Sequence, residues 1–377
     1  MKKAVLIPDS FKGTMSSLEI CEIMGAQIKK HFPEAEILPV PVADGGEGTV
    51  DAFLTAVGGE KISLPATGPF FETTGGFYGR LNETTAVVEM AACAGLPLAG
   101  DKKDPERTTT YGVGELILHA ARAGCSHIIA GLGGSCTNDG GAGAAAAAGV
   151  RFYNQRDEAF IPTGGTLKDI SRIDASGLDP CLKGVTITAM CDIDNPLTGK
   201  TGAASVFAPQ KGADEAAVKR LDEGLAHLAG IVRRDLGFDM ESLPGAGAAG
   251  GMGGGMAAFF GAKLQMGIET VLDAVSFDKI AEGADWIFTG EGKIDGQSLR
   301  GKVVVGVARR AKALGVPVAA VVGDIGDDAQ DAYSEGVTAI FSINRVAVDF
   351  SRARLRSKSD MALTMDNLCR FIKACGK

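Results

Sequence analysis

Histidine is scarce in this chain, with four in 377 residues, at 31, 119, 127 and 227. His31 ends a predicted helix, His119 and His227 fall inside helices and His127 opens a strand, which argues against a Ser-His-Asp triad. Any general base should then be a carboxylate. Basic charge is also in deficit: 38 Lys and Arg against 46 Asp and Glu give a net charge of −8. The only dense basic run is Arg352, Arg354, Arg356 and Lys358. No nucleic-acid partner is expected from that balance. The eight cysteines include no pair at the two-residue spacing of thiolate metal sites, so they read as reduced, mostly buried thiols. Met1-Lys2-Lys3 precedes only four apolar residues before Pro8, too few for the apolar region of a signal peptide, and a cytoplasmic location is expected. The one long uncharged run, residues 244–262, is nearly half glycine; it reads as a loop entering a buried helix, and no membrane partner is expected.

What is present is a globular composition, 45% hydrophobic and 22% charged, in a chain long enough to divide into two domains. Glycine is the outlier, at 53 residues. It is clustered, and clusters suggest loops that approach an anion closely, tight turns being the alternative.

A strand-loop-helix rhythm starts at once. Ala4 to Ile7 reads as a buried strand, and Ser16 with Glu19 forms a capping-box pattern ahead of an apolar face at Leu18, Cys21, Met24 and Ile28. Ile37 to Val42 is a second extended run ending in ADGGEGT. The rhythm recurs around Ile128 to Ala130, in VTITAMCDIDNPL, in DWIFTGEGKIDGQSLRGK, in VPVAAVVGDI and in VTAIFSI. These short, continuously apolar strands suit parallel sheets covered on both faces. Residues 60–110 are richer in Thr, aromatics and turns, which suggests antiparallel strands. The expectation is an α/β protein in which residues 1–65 and 285–377 form one discontinuous, Rossmann-like domain with a parallel sheet. Residues 66–284 form an inserted α/β domain.

Each Gly-rich loop follows a strand at its carboxyl end, where parallel sheets gather ligands. The polar residues collected there include Asp9, Ser10, Lys12, Asp44, Glu47, Ser135, Thr137, Asn138, Asp139, Asp192, Asp194, Asn195, Glu291, Lys293, Asp295, Arg300 and Asp324. Carboxylates, a few cations and glycine amides are the needs of phosphoryl transfer. Other roles stay open: Asp44 and Asp139 as helix caps, Lys12 and Lys211 as solvated surface lysines, Lys293 and Arg300 as members of an ion-pair network. Two P-loop near-misses fail, because Val303 stands where a Ser or Thr is needed and Asp194 where the first glycine is needed. GLGGSC at 131–136 departs from the dinucleotide fingerprint at Cys136.

Taken together, PDSFKG (8–13), ADGGEGT (43–49), GLGGSCTNDGGAG (131–143), DIDNPL (192–197), APQKGA (208–213), PGAGAAGG (244–251) and TGEGKIDGQSLRGK (289–302) resemble the type I glycerate kinase family, in the same order from about residue 3 to 345. Ala208 stands where a glycine is expected, and Val303 to Val305 lacks an expected proline. The resemblance implies two α/β domains, one discontinuous and one inserted, with the active site in the cleft between. It implies transfer from ATP to D-glycerate, usually at the 2-hydroxyl, with 3-phosphoglycerate as the other product. Mg²⁺ is expected as cofactor, and a homodimer is compatible. Loop chemistry then suggests Asp44 as general base with Asp295 as the next carboxylate, Lys12 for phosphate, and Arg300 for the substrate carboxylate or the transferring phosphoryl. It suggests Gly45, Gly46, Gly133, Gly134, Ser135, Lys211 and Lys293 around ATP, and Asp192, Asp194 and Glu291 for metal. The alternatives are a non-catalytic nucleotide or carboxylate-binding regulator, disfavoured by the carboxylates, and a ribokinase-type sugar kinase. The latter is disfavoured because PGAGAAGG lacks the expected Asp.

Overall fold

The computed structural model describes residues 1–296 and 298–376. Two compact units emerge, one of residues 1–43, 55–57 and 266–377, the other of residues 44–54 and 58–265. The sequence-based limits of 65 and 285 lie about 20 residues later. The strand Glu60–Thr67 belongs to the second unit's sheet, and the helix Gly267–Ala274 belongs with the first unit, where Arg310 bonds Asp273 at 2.6 Å.

In the first unit five strands lie in the order Val337–Ser342, Val318–Val322, Trp286–Gly290, Lys3–Pro8, Glu36–Pro39, all parallel. Leu6, Phe288 and Val321 pack on one face with Met24 and Ile28 of the helix Ser17–His31 and Met361, Met365 and Leu368 of Phe350–Ala374. The alternate residues Val5, Ile7, Ile287 and Ala320 are equally buried, so both faces are covered and the strands can be continuously apolar. The capping box is present, with Ser16 and Glu19 each accepting from the other's backbone. Ser17 Oγ donates to the Pro8 carbonyl at 2.6 Å and accepts from Val42 N at 2.8 Å, tying two strand ends together.

In the second unit the six-stranded sheet runs Lys263–Gln265, Thr186–Met190, His127–Gly131, Thr85–Glu89, Thr73–Arg80, Glu60–Thr67. The first four are parallel. The last two are antiparallel, in register from Glu60↔Arg80 to Thr67↔Thr73, as the composition of residues 60–110 suggests. The uncharged run forms turns and then the helix Ala248–Phe260. Ala249, Gly250 and Gly251 all have positive φ, and a Cβ on Gly250 would run into the Thr137 carbonyl. Glycine there serves backbone-to-backbone packing. Among the described residues no helix is long and apolar enough to cross a membrane.

Candidate active site

At the carboxyl edge of the first unit's sheet the chain direction reverses. Lys3–Pro8 connects through a helix to Glu36–Pro39 on one side, whereas Trp286–Gly290 connects through Val303–Ala313 to Val318–Val322 on the other. The crevice at such a switch point is where open parallel sheets bind ligands. Asp9 and Glu291 follow the paired residues Pro8 and Gly290, and Asp9 N donates to the Gly290 carbonyl at 2.7 Å. Glu291 is 5% exposed and its Oε1 has no hydrogen-bond partner among the described residues. Burial, with Asp9 and Asp295 adding to it, pushes its carboxyl up to about 7 against the opposing pull of Ser298 and Lys302. A buried carboxylate with an orphaned oxygen fits a proton or a cation. Lys12 and Lys293 are exposed at the ends of the two central strands. Asp295 is half-buried, its amide donating to Ser298 Oγ at 3.2 Å. Arg300 closes the short turn Ser298–Arg300 by its backbone; its side chain lies outside the described residues.

At the corresponding edge of the second unit, the loop after His127–Gly131 lies against residues 44–47. Gly133 N donates to the Gly45 carbonyl at 2.8 Å, and Gly46 N to Asp44 Oδ1 at 3.1 Å. A Cβ on Gly133 would lie 2.5 Å from Gly46 N, and one on Gly134 would lie 2.9 Å from Glu47 Oε1. The close approach that these glycines permit is therefore to the neighbouring loop, and the Gly133 and Gly46 amides already have acceptors. Asp44 is exposed and holds its own loop in a tight turn.

Lys211 is not a solvated surface lysine. It is 2% exposed, and its Nζ donates to Ser135 Oγ at 2.7 Å and to the Thr137 carbonyl at 2.6 Å. Burial pushes it down to about 8, with Cys136 and Asp139 opposing. Asp139 takes the capping role. Fully buried, it accepts from Thr110 N and Oγ1 at 2.8 Å each, from Gly141 N at 3.1 Å and from Gly143 N at 3.2 Å. Next to it, Thr137 Oγ1 and both polar side-chain atoms of Asn138 are buried without a partner among the described residues.

Asp192 and Asp194 follow the strand Thr186–Met190, half-buried and exposed respectively. Among the described residues no group of three or more His, Cys, Asp or Glu forms a metal cluster. Mg²⁺ needs only one or two carboxylates and completes its shell with water and phosphate oxygens, so it does not require a larger cluster. Glu89 escaped sequence reasoning. It is buried, and its carboxylate accepts from Val50 N at 2.9 Å across 39 positions, a pairing with no local signature.

Carboxylates, lysines and Gly-rich loops at the carboxyl edges of parallel sheets are a chemistry suited to phosphoryl transfer. The model of the glycerate kinase family matches residues 4–373. The chain is 46% identical over 368 residues to a glycerate kinase of Bacillus cereus (strain ATCC 10987 / NRS 248), covering 97% of each chain. It is 43% identical over 343 residues to glycerate 2-kinase of Escherichia coli (strain K12), covering 90% of each. The crystal structure of putative glycerate kinase 2 from Salmonella typhimurium LT2 superposes with a TM-score of 0.87 at 40% identity, covering 100% of this chain and 99% of that one. The chain belongs to the glycerate kinase family.

Proposed function

We propose that the protein transfers the γ-phosphoryl of ATP to the 2-hydroxyl of D-glycerate, releasing ADP and 2-phosphoglycerate. The observation that carries the position of attack is the end-to-end similarity to the Escherichia coli 2-kinase. The reaction needs cations and donors on the phosphates, a base for the alcohol proton and a way to disperse charge on the transferred group.

Lys12 and Lys293 supply positive charge at the first unit's strand ends. In the second unit the loop donor is the Ser135 hydroxyl. Its oxygen accepts from Lys211, so its own hydrogen is directed to another acceptor, and a phosphate or carboxylate oxygen suits it. Gly45, Gly46, Gly133 and Gly134 shape that loop. Asp44 is the general base and Asp295 the next carboxylate in reserve; Arg300 takes the substrate carboxylate or the transferring phosphoryl. Asp192 and Asp194 of the second unit, and separately Glu291 of the first, whose Oε1 has no partner among the described residues, would offer oxygen donors to Mg²⁺. When bound, such an ion would supply neutralising charge for phosphate oxygens. Eight free cysteines support a reducing, cytoplasmic location.

The test is ³¹P NMR of a reaction with Mg·ATP and D-glycerate. The 2-phosphoglycerate resonance should grow in step with ADP. A 3-phosphoglycerate product, or no ADP above background, overturns the reading.

A further inference from the structure

The first unit contains a cavity of about 560 Å³ that no site residue chosen from sequence explains as a whole. Its walls come from the segments following four adjacent parallel strands. Phe11 and Lys12 follow Lys3–Pro8, Gly292 and Lys293 follow Trp286–Gly290, Gly323 and Asp324 follow Val318–Val322, and Ile343 and Asn344 follow Val337–Ser342. The start of the helix Phe350–Ala374 closes it with Phe350 and Arg354, joined by the preceding Val348. The volume lies within the usual range for a small-molecule site.

The order of the strands turns this lining into a polarity gradient. At the sheet edge, around Ile343, Val348 and Phe350, the wall is mostly apolar and partly uncovered, with Val348 39% and Phe350 66% exposed and with Asn344 and Arg354 as polar members beside them. One strand inward stands a single carboxylate, Asp324. On the next two strands inward stand Lys293 and then Lys12, at the point where the chain direction reverses. An apolar end, a hydroxyl acceptor and then two cations match, in sequence, a flat heterocycle, a ribose and a polyphosphate. A small hydroxy acid would use the cations and leave the apolar end uncovered.

We propose that this cavity is the nucleoside subsite of the kinase, taking an adenine nucleotide with its base against Ile343, Val348 and Phe350. Asp324 accepts from the ribose hydroxyls, and Lys293 and Lys12 face the phosphates. The inference rests on the kinase reading for the identity of the ligand, and the geometry alone supplies its orientation. Base contacts of this kind are apolar and aromatic, whereas the lysines act as point charges on phosphate.

The experiment uses the full-length protein and Val348→Glu, a change at a partly exposed wall position that puts a carboxylate where the base should lie. The expected result is at least a tenfold rise in KM for ATP, with KM for D-glycerate within twofold of wild type and an unchanged melting temperature. Calorimetric titration with ADP alone should show the same tenfold loss, and it reads the cavity independently of turnover. Unchanged ADP affinity and unchanged KM for ATP overturn the subsite, even where glycerate turnover is normal and the kinase reading stands. A rise confined to KM for D-glycerate also overturns it, by giving the cavity to the acid. Absence of glycerate turnover in wild type, with ADP binding that Val348→Glu abolishes, overturns the kinase reading and upholds the cavity as a nucleotide site. Asp324→Asn provides the second variant. It should narrow the preference for ATP over 2′-deoxy-ATP or 3′-deoxy-ATP, and an unchanged preference against both removes Asp324 from the ribose.

Discussion

The ammonium of Lys211 lies 2.7 Å from the hydroxyl oxygen of Ser135, and both residues are buried. The folded chain therefore holds a lysine in a place that penalises its charge, at about 8 where a lysine ordinarily stands at 10.5. Between those two values the unfolded chain binds a proton that the folded chain has released, so this group makes stability rise with pH through that window. Thermal unfolding of wild type and Lys211→Met across about pH 7.5 to 10 should show the rise in wild type and its loss in the variant. Turnover should fall roughly tenfold to a hundredfold as the Ser135 hydroxyl loses its orientation. Parallel melting curves for the two proteins would assign the lysine an ordinary titration.

Glu291 carries the opposite sign. Its carboxyl stands at about 7 against an ordinary 4.5. The folded chain holds a proton over that interval which the unfolded chain gives up. The stabilising contribution is complete below the lower value and is lost as pH rises through the upper one. In metal-free buffer, the advantage of wild type over Glu291→Gln should shrink between about pH 5 and pH 8. A difference that does not change with pH would place the titration elsewhere.

Two glycines predict opposite outcomes from the same substitution. A Cβ on Gly133 would lie 2.5 Å from the Gly46 amide nitrogen, so Gly133→Ala should cost about 1 to 3 kcal/mol or more through overpacking. Gly230 sits in the helix Glu215–Leu236, exposed, with nothing within 4 Å of its virtual Cβ. Gly230→Ala should stabilise by about 0.5 to 1 kcal/mol. Urea midpoints of the two variants decide both, and a destabilised Gly230→Ala would contradict the open space around that residue.

Asp44→Asn separates chemistry from folding. The Asn side chain keeps an oxygen for the Gly46 amide, so the turn survives and the melting temperature should stay near wild type. As general base its loss should lower kcat by about 10² to 10⁴ with little change in KM for glycerate. Near-normal turnover would confine Asp44 to its turn and shift the base to Asp295.

The parallel strands were legible because their residues are continuously apolar, as Ala4 to Ile7 and Val318 to Val322 illustrate, and the first helix because Ser16 and Glu19 announce its start. The site was legible as a set of loops. Roles inside the loops were less so, because they depend on which atoms meet. Nothing local distinguishes Lys211, fully buried 76 positions from Ser135, from an ordinary surface lysine. Asp139 and Asp44 both precede glycines, yet one is buried under four donors and the other is exposed beside one amide. The cavity wall at Val348 and Phe350 lies beyond the glycine clusters, in a segment marked only by apolar residues and the helix-capping Asp349 between arginines.

The strand Lys3–Pro8 is made long before Trp286–Gly290, one of its two sheet neighbours. During synthesis its Ala4 partner, Trp286, follows 282 positions later, a wait of roughly 14 to 56 s at about 5 to 20 residues per second. Through that interval an apolar strand has one edge without its native partner, the state in which strands recruit wrong ones. The second unit, continuous from Gly58 to Gln265, can complete its own sheet on the ribosome meanwhile. Slow release of the first segment until the last strands emerge is thus a demand that this topology places on the cell, and the yield of folded protein should depend on chaperones that bind nascent apolar strands.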